Sequence, residues 1–218
     1  MRDINPNISE NNAVISAEAI LNQIPDCQRY LTFLQEHLKP DRIKHSLEVV
    51  SVMADLAEVY CLDRSQALTA ALLHDAAHDF TDEQLLAYAQ KAGIRINHPS
   101  EAHPLYIHGP VSAAFIQTEL GIDYQPILDA IYTHSFMENA SDFHAPLSWC
   151  LRFADMLAAS RTWKEYQQRL KPLAYSGQLH EAACVAMTWV VELHQGLGNP
   201  VHPSLLEIIK ELTKDNLH

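Results

Sequence analysis

The sequence predicts an all-α protein, a single domain of roughly nine or ten packed helices. Three observations carry this reading. No segment alternates polar and apolar residues with the period of two that a half-buried strand requires. From Ser16 onward, segment after segment places apolar residues at the three-to-four spacing of an amphipathic helix. The breaks fall on helix punctuation: Pro25 and Pro40 after two segments, Gly93 and Gly121 in C-cap positions, and Pro110 in a first turn.

Residues 1–14 are mostly polar, with little to bury, and read as disordered. Their beginning, MRDINPNISENN, holds no apolar segment of leader type. Residues 15–39 read as a helical extension, AEAILNQI followed by DCQRYLTFLQEHL, and residues 40–215 as the main domain. In DRIKHSLEVVSVMADLAEVY the apolar face is Val49, Val52, Met53 and Leu56. His45 shares that face, and Asp41 is the expected N-cap. DRSQALTAALLHDAAHDF, dense in Ala and Leu, reads as one helix buried on most sides. TDEQLLAYAQKAG opens with Thr81 and Gln84 in capping-box spacing. INHPSEAHPLYIHGP, with its prolines and histidines, reads as irregular, and a helix is expected to start at Pro110. Then come YQPILDAIYTHS, APLSWCLRFADMLAAS, TWKEYQQRL, QLHEAACVAMTWVVELHQG and HPSLLEIIKELTK.

Composition excludes several classes. The 218 residues suffice for a core without disulfides. With 27 acidic against 15 basic residues the formal charge is −12, which argues against a nucleic-acid binder. A small phosphorylated substrate stays compatible, because a bound cation supplies local positive charge. Cys27, Cys61, Cys150 and Cys184 form no CxxC pair, so a cysteine zinc site is not expected. Cys61, Cys150 and Cys184 read as small core residues. No window approaches 18 uninterrupted apolar residues, so neither a membrane span nor a membrane partner is expected, and the cytoplasm is the expected location.

Thirteen histidines are many for this length. His45, His74, Asp75, His108, His134 and Asp155 lie on, or at the ends of, apolar helix faces. Alone, each has a simple structural explanation: a satisfied core histidine, a cap, an ion pair. Together, on separate helices of one small domain, they form a nitrogen-and-oxygen ligand set for iron, manganese, cobalt or zinc. Six side chains exceed the needs of one catalytic metal with open positions and suit two that share a carboxylate.

The ordered segments HSLEVVSVMADLAEVY, ALLHDAAH, YIHGPVSAAFIQTELG, DAIYTHS, RFADMLAASR and GNPVHPSLLEI carry a family resemblance over about residues 40–210. His45, His74-Asp75 and Asp155 match the H…HD…D pattern of the HD-domain metal-dependent phosphohydrolases. The chain resembles the YqeK-type symmetrical bis(5'-nucleosyl)-tetraphosphatases within that superfamily. The resemblance implies an all-helical fold, two ions, iron first among them, and hydrolysis of diadenosine tetraphosphate to two ADP. It implies His45, His74, Asp75 and Asp155 as core ligands, His108 and His134 as the ligands that complete the shell of the second ion, and Asp75 bridging. The chain departs from the family at His78, where the family has lysine. Ser135-Phe136-Met137 replaces Thr-Thr-Gly, Ala158 and Ala159 replace Glu and Pro, and Ile209 stands near a family arginine. Arg161 is kept.

His74, Asp75 and His78 are the candidate catalytic residues. His78 follows His74 by one helical turn and could bind phosphate, orient water, act as general acid, or stand by. Arg42, Lys44, Ser135, Arg161 and His202 are candidate substrate contacts, with surface solvation the alternative for the cations and a structural role for His202. Trp149, Trp163 and Trp189 read as core residues, and Phe136 and Met137 as candidate base contacts. The expected partner is a small nucleotide; the oligomeric state is open, a homodimer included. Two other readings stand beside the tetraphosphatase: a nucleoside mono- or diphosphatase on the same bundle, and a nucleotide-binding regulatory module without turnover.

Overall fold

Where each helix stops decides where the polar residues of the core meet. The computed structural model describes residues 17–135 and 146–214. The N-terminal 14 residues, Phe136 and Met137 lie outside the described residues. Among those described there are eleven α-helices, one 3-10 turn and no strand, a longer series than the nine or ten expected. They are α1 (Ala17–Leu21), α2 (Cys27–His37), α3 (Pro40–Val59), α4 (Arg64–Leu73), α5 (Asp82–Ala92), α6 (Pro104–Leu120), α7 (Gln125–Ser135), α8 (Pro146–Leu157), α9 (Lys164–Tyr175), α10 (Leu179–Leu197) and α11 (Pro203–Lys214). The 3-10 turn is Pro99–Ala102.

α3, α4, α7 and α8 pack against one another; α6 lies along α7 and carries α5, while α9, α10 and α11 cover the α8 side. α4 is buried from Ala67 through Leu73, as its Ala-Leu composition dictates. One continuous apolar core joins all of these helices. α2 docks on it through Phe33, whose ring lies 5.0 Å from that of Phe115 in α6, and through Arg29, which donates to the Leu120 carbonyl at 2.9 Å.

Several expected boundaries move, each for a local reason. The helix through the His-Asp pair ends at Leu73 rather than Phe80. The His74 ring nitrogen Nδ1 donates to the Ala71 carbonyl at 2.8 Å, the acceptor that the next turn's backbone would use. Tight i→i+3 turns follow, Ala76 to Leu73 and His78 to Asp75. α6 begins at Pro104, not Pro110. His103 is its N-cap, its Nδ1 accepting from the Leu105 N–H at 3.3 Å, so His108 sits inside a helix. α3 is not capped by Asp41: Pro40 takes the first position, and the Asp79 carboxylate accepts the Lys39 N–H at 2.7 Å. α8 stops at Leu157, before Ser160. The capping box of Thr81 and Gln84 and the left-handed Gly93 and Gly121 are present. Of the three cysteines expected in the core, Cys150 is buried, Cys184 half-buried and Cys61 exposed, in a left-handed turn after α3. No helix of the described residues is long and apolar enough to cross a membrane.

α6 and α7 meet closely at Gly109. Pro110 has no N–H, so the Tyr106 carbonyl loses its helical donor; the Ser135 hydroxyl supplies one at 2.9 Å and accepts the Gly109 N–H at 3.0 Å. A Cβ on residue 109 would fall 2.2 Å from Ser135 Oγ and 3.0 Å from the carbonyls of Ile131 and Tyr132. Gly109→Ala is expected to lower stability by about 1–3 kcal/mol, the scale of overpacking. Gly196→Ala in α10, where an added Cβ meets nothing within 4 Å, is expected to raise it by about 0.5–1 kcal/mol. Urea denaturation of the two variants checks both signs.

Candidate metal centre

The six polar residues singled out above reach the same point from five segments. His45 comes from the second turn of α3, and His74 and Asp75 from the turn that ends α4. His108 lies in α6, His134 in the last turn of α7 and Asp155 in the last turn of α8. α4, α7 and α8 therefore end here. Their C-terminal carbonyls place the negative ends of three helix dipoles around the cluster, a field that favours a cation.

Asp75 is the hub, with 2% of its side chain exposed. Its Oδ2 lies 3.3 Å from His74 Nε2 and 3.9 Å from His45 Nε2. Its Oδ1 lies 3.5 Å from both His108 Nε2 and His134 Nε2. Arg42 donates to Oδ2 at 2.9 Å. On the His45 side, Nε2 meets Asp155 Oδ1 at 2.9 Å, and Arg161 forms a short ion pair with the same oxygen.

The histidines are aimed by their outer nitrogens. Nδ1 of His74, His108 and His134 faces the carbonyls of Ala71, Pro104 and Ile131 at 2.8, 2.8 and 2.6 Å. A carbonyl only accepts, so each Nδ1 carries the proton and each Nε2 turns a lone pair inward. His45 Nδ1 lies 2.8 Å from Ser160 Oγ, and the Ser160 N–H is held by Glu48 at 2.7 Å. Two features show that this donor set fits a metal. His74 Nε2 is buried with no hydrogen-bond partner. The Nε2 atoms of His108 and His134 stand 3.2 Å apart, two lone pairs face to face. His45, His74 and Asp155 offer ligand atoms within 4.8 Å of one another, and so do His74, Asp75 and His134.

Comparison with known proteins agrees with this geometry. The HD domain family model matches residues 42–187, which include all six residues. The chain belongs to the HD domain family. Relatives named symmetrical bis(5'-nucleosyl)-tetraphosphatase include those of Bacillus subtilis, 31% identical over 108 residues, 48% of this chain and 56% of the relative. That of Staphylococcus aureus is 33% identical over 104 residues, 46% of this chain and 52% of the relative. The chain thus matches about half the length of these relatives. A crystal structure titled as a predicted HD superfamily hydrolase involved in NAD metabolism, from Clostridium acetobutylicum, superposes with a TM-score of 0.78 at 23% identity. The match covers 86% of this chain and 97% of that one, and it shows the shared fold.

Two cavities flank the HD cluster. The larger, about 330 Å³, is lined by Asp75, His78, His108, His134, Ser135, Asp155 and Arg161 among others. The smaller, about 290 Å³, is lined by Lys39, Asp41, Arg42, His45, Asp79, Ser160 and Arg161. Arg161 borders both. Of the other sequence candidates, His78 faces the larger cavity, its ring 5.5 Å from that of His108. Ser135 also lines it, with its hydroxyl engaged by backbone. Lys44 is exposed and lines neither cavity. His202 lies away from both, buried between Glu101 at 3.2 Å and Ser204 at 2.6 Å. The tryptophans divide: Trp149 stacks in the core on Phe153, whereas Trp163 and Trp189 also wall the larger cavity. Sequence reading missed Ser160, Glu48, Lys39 and Arg152; Arg152 lies in α8 three residues before Asp155. Arg152 is buried, lines the larger cavity and donates to the Thr133 carbonyl at 2.8 Å. Burial pushes it down to about 10, still cationic at neutral pH.

Burial opposes charge throughout the HD cluster and is overcome only where partners are present. It would raise Asp75, but the neighbouring histidines, His74 first, hold the carboxyl well below the usual range. Burial would likewise raise Asp155, and Arg161 and His45 hold it low. His74 is raised against its burial by Asp75. For His134 burial wins and pushes the imidazole down to about 4. An unfolded histidine titrates near 6.5. Between these values the unfolded chain binds the extra proton, so His134 makes the metal-free protein less stable as pH falls from about 6.5 toward 4. His134→Gln is therefore expected to show a shallower fall of Tm with acidification across that window than the parent, measured on chelator-treated protein.

Proposed function

We propose that this HD domain is a metal-dependent phosphohydrolase that cleaves dinucleoside polyphosphates, taking diadenosine tetraphosphate to two ADP. One observation carries the reading: the two oxygens of buried Asp75 face two different histidine pairs. That division suits two divalent cations sharing one carboxylate. His45, His74 and Asp155 would hold one, and His108 and His134 the other, with iron first and manganese, cobalt or zinc as alternatives. Bound ions would lower the pKa of a water and neutralise phosphoryl oxygens. The printed name of the relatives supports the choice of substrate, over the half of their length that this chain matches.

The protein's own part is positioning and charge, which is most of what phosphoryl transfer asks for. Arg161 borders both cavities and can contact phosphates that run from one to the other. Lys39 and Arg42 line the smaller cavity beside Asp41 and Asp79, and Arg152 adds positive charge to the larger. His78 is held down by burial, so its imidazole is neutral near pH 7 and able to orient water or accept its proton. Water adds through oxygen to one central phosphorus, the P–O bond to the other half breaks, and the departing ADP takes up the proton. Arg42, bound to Asp75, and Ser160, bound to His45, hold those two side chains in place.

A second reading, a nucleoside mono- or diphosphatase on the same site, is favoured by the size of the larger cavity. At about 330 Å³ it stands near the low end of ligand pockets, and one nucleotide suits it. The test is reconstitution with iron(II) or manganese(II), metal analysis, and chromatography of the products from diadenosine tetraphosphate and from mononucleotides. The expected result is two bound ions and two ADP. His74→Ala is expected to lose metal affinity and turnover by more than about 100-fold. Turnover of mononucleotides alone would move the assignment to the second reading. Neither metal nor turnover would remove the catalytic reading in favour of a regulatory module.

A further inference from the structure

We infer that the part of the larger cavity walled by Trp163 and Trp189 is the binding site for the nucleotide base. The inference rests on the nucleotide hydrolase reading and adds the residues that would select the substrate. The cavity lining is of two kinds. One is the His-Asp cluster with Arg152 and Arg161; the other is apolar, Leu105, Met156, Trp163, Trp189, Leu193 and Leu197. Phosphate has no use for the apolar part, and a flat ring does.

Four observations favour an aromatic base there. Trp163, in the N-cap position of α9 and half-buried, meets Trp189 of α10 with centroids 4.1 Å apart at 55°. Leu105 and Leu197 remain 39% and 65% exposed on this wall. A ligand that covers large exposed apolar side chains removes them from water. The Arg161 guanidinium lies 4.8 Å over the Trp163 ring while paired with Asp155. Its positive charge therefore stands between the lining suited to phosphate and the lining suited to a ring, the order in which a nucleotide presents its parts. Asn199 lines the same cavity. Its carboxamide offers donors and an acceptor, which match the polar edge of a base and have no counterpart in an aliphatic ligand.

Calorimetry with ADP and with pyrophosphate on the metal-loaded protein tests this, because pyrophosphate carries the phosphates without the ring. ADP is expected to bind about tenfold tighter than pyrophosphate, the scale of one stacked base. Saturating ADP is expected to change tryptophan emission where pyrophosphate does not. Trp163→Leu is expected to weaken ADP by about tenfold and pyrophosphate by less than about twofold. Leu197→Ser, at an exposed position where folding is not at risk, is expected to weaken ADP severalfold and spare pyrophosphate. Equal affinity for the two ligands, or equal losses for both in the variants, would overturn the base site. Turnover of diadenosine tetraphosphate is read separately. If it fails while ADP selectivity depends on Trp163, the hydrolase reading falls and the base site stands.

Discussion

A carboxylate at the centre of an apolar bundle is the constraint around which this molecule is organised. Leaving Asp75 ionised and unpartnered there would cost several kcal/mol. Four imidazoles and Arg42 surround it, and between them they come from α3, α4, α6 and α7. Those helices must therefore meet at one point, whatever else their apolar faces prefer. The bundle's packing pattern, α3 with α4 and α8, α6 with α7, α7 with α8, brings these residues within reach of one oxygen or the other. Apolar burial supplies the cohesion, and the buried charge decides the register.

The local chemistry serves the same end. α4 is composed of strong helix formers and nothing in Ala76-Ala77 would stop it. It stops because the His74 ring takes the Ala71 carbonyl, which frees His74 Nε2 and turns Asp75 toward the other helices. At the opposite side, Pro110 leaves a carbonyl in α6 without its donor, Ser135 fills it, and Gly109 permits the approach. That clasp fixes the distance between His108 and His134, one on each helix. A position that reads as a substrate contact in the sequence is better explained as what holds the two histidines apart.

The centre was legible because its residues break a pattern. His45 on the face of Val49 and Met53, or Asp155 between Ala154 and Met156, is a polar side chain where the helical period demands an apolar one. His108 was found by its flanks even though its helix was placed six residues too late, since three prolines in fifteen residues suggest a loop more strongly than a capped helix. The early end of α4 was not legible, because a side chain competing for a carbonyl leaves no trace in composition. Neither was the wall of the larger cavity. A tryptophan at helical spacing follows the same period whether it faces core or cavity, and only the neighbouring helices decide which. Lys39 and Ser160 stood outside every periodic pattern, whereas Arg152, three residues before Asp155 in α8, breaks one and was passed over.

The balance of charge ties fold to function. The chain carries −12 overall, which would repel a polyanion at long range. Among the described residues around the centre that acidic excess is absent. Asp75 is paired with Arg42 and Asp155 with Arg161, while Lys39 shares the smaller cavity with Asp41 and Asp79, and Arg152 borders the larger. Asp75 and Asp155 are thus each paired with an arginine before any cation is added, so a divalent ion held by the cluster would add positive charge at the centre itself. A buried guanidinium or a bound ion acts at short range and with little screening, whereas the acidic surface is screened within about 10 Å at ordinary ionic strength. An acidic protein can in this way hold a polyphosphate. The same arrangement ties the affinity for phosphate to the metal content of the site, so phosphate binding should fall when the metal is removed even if the fold persists.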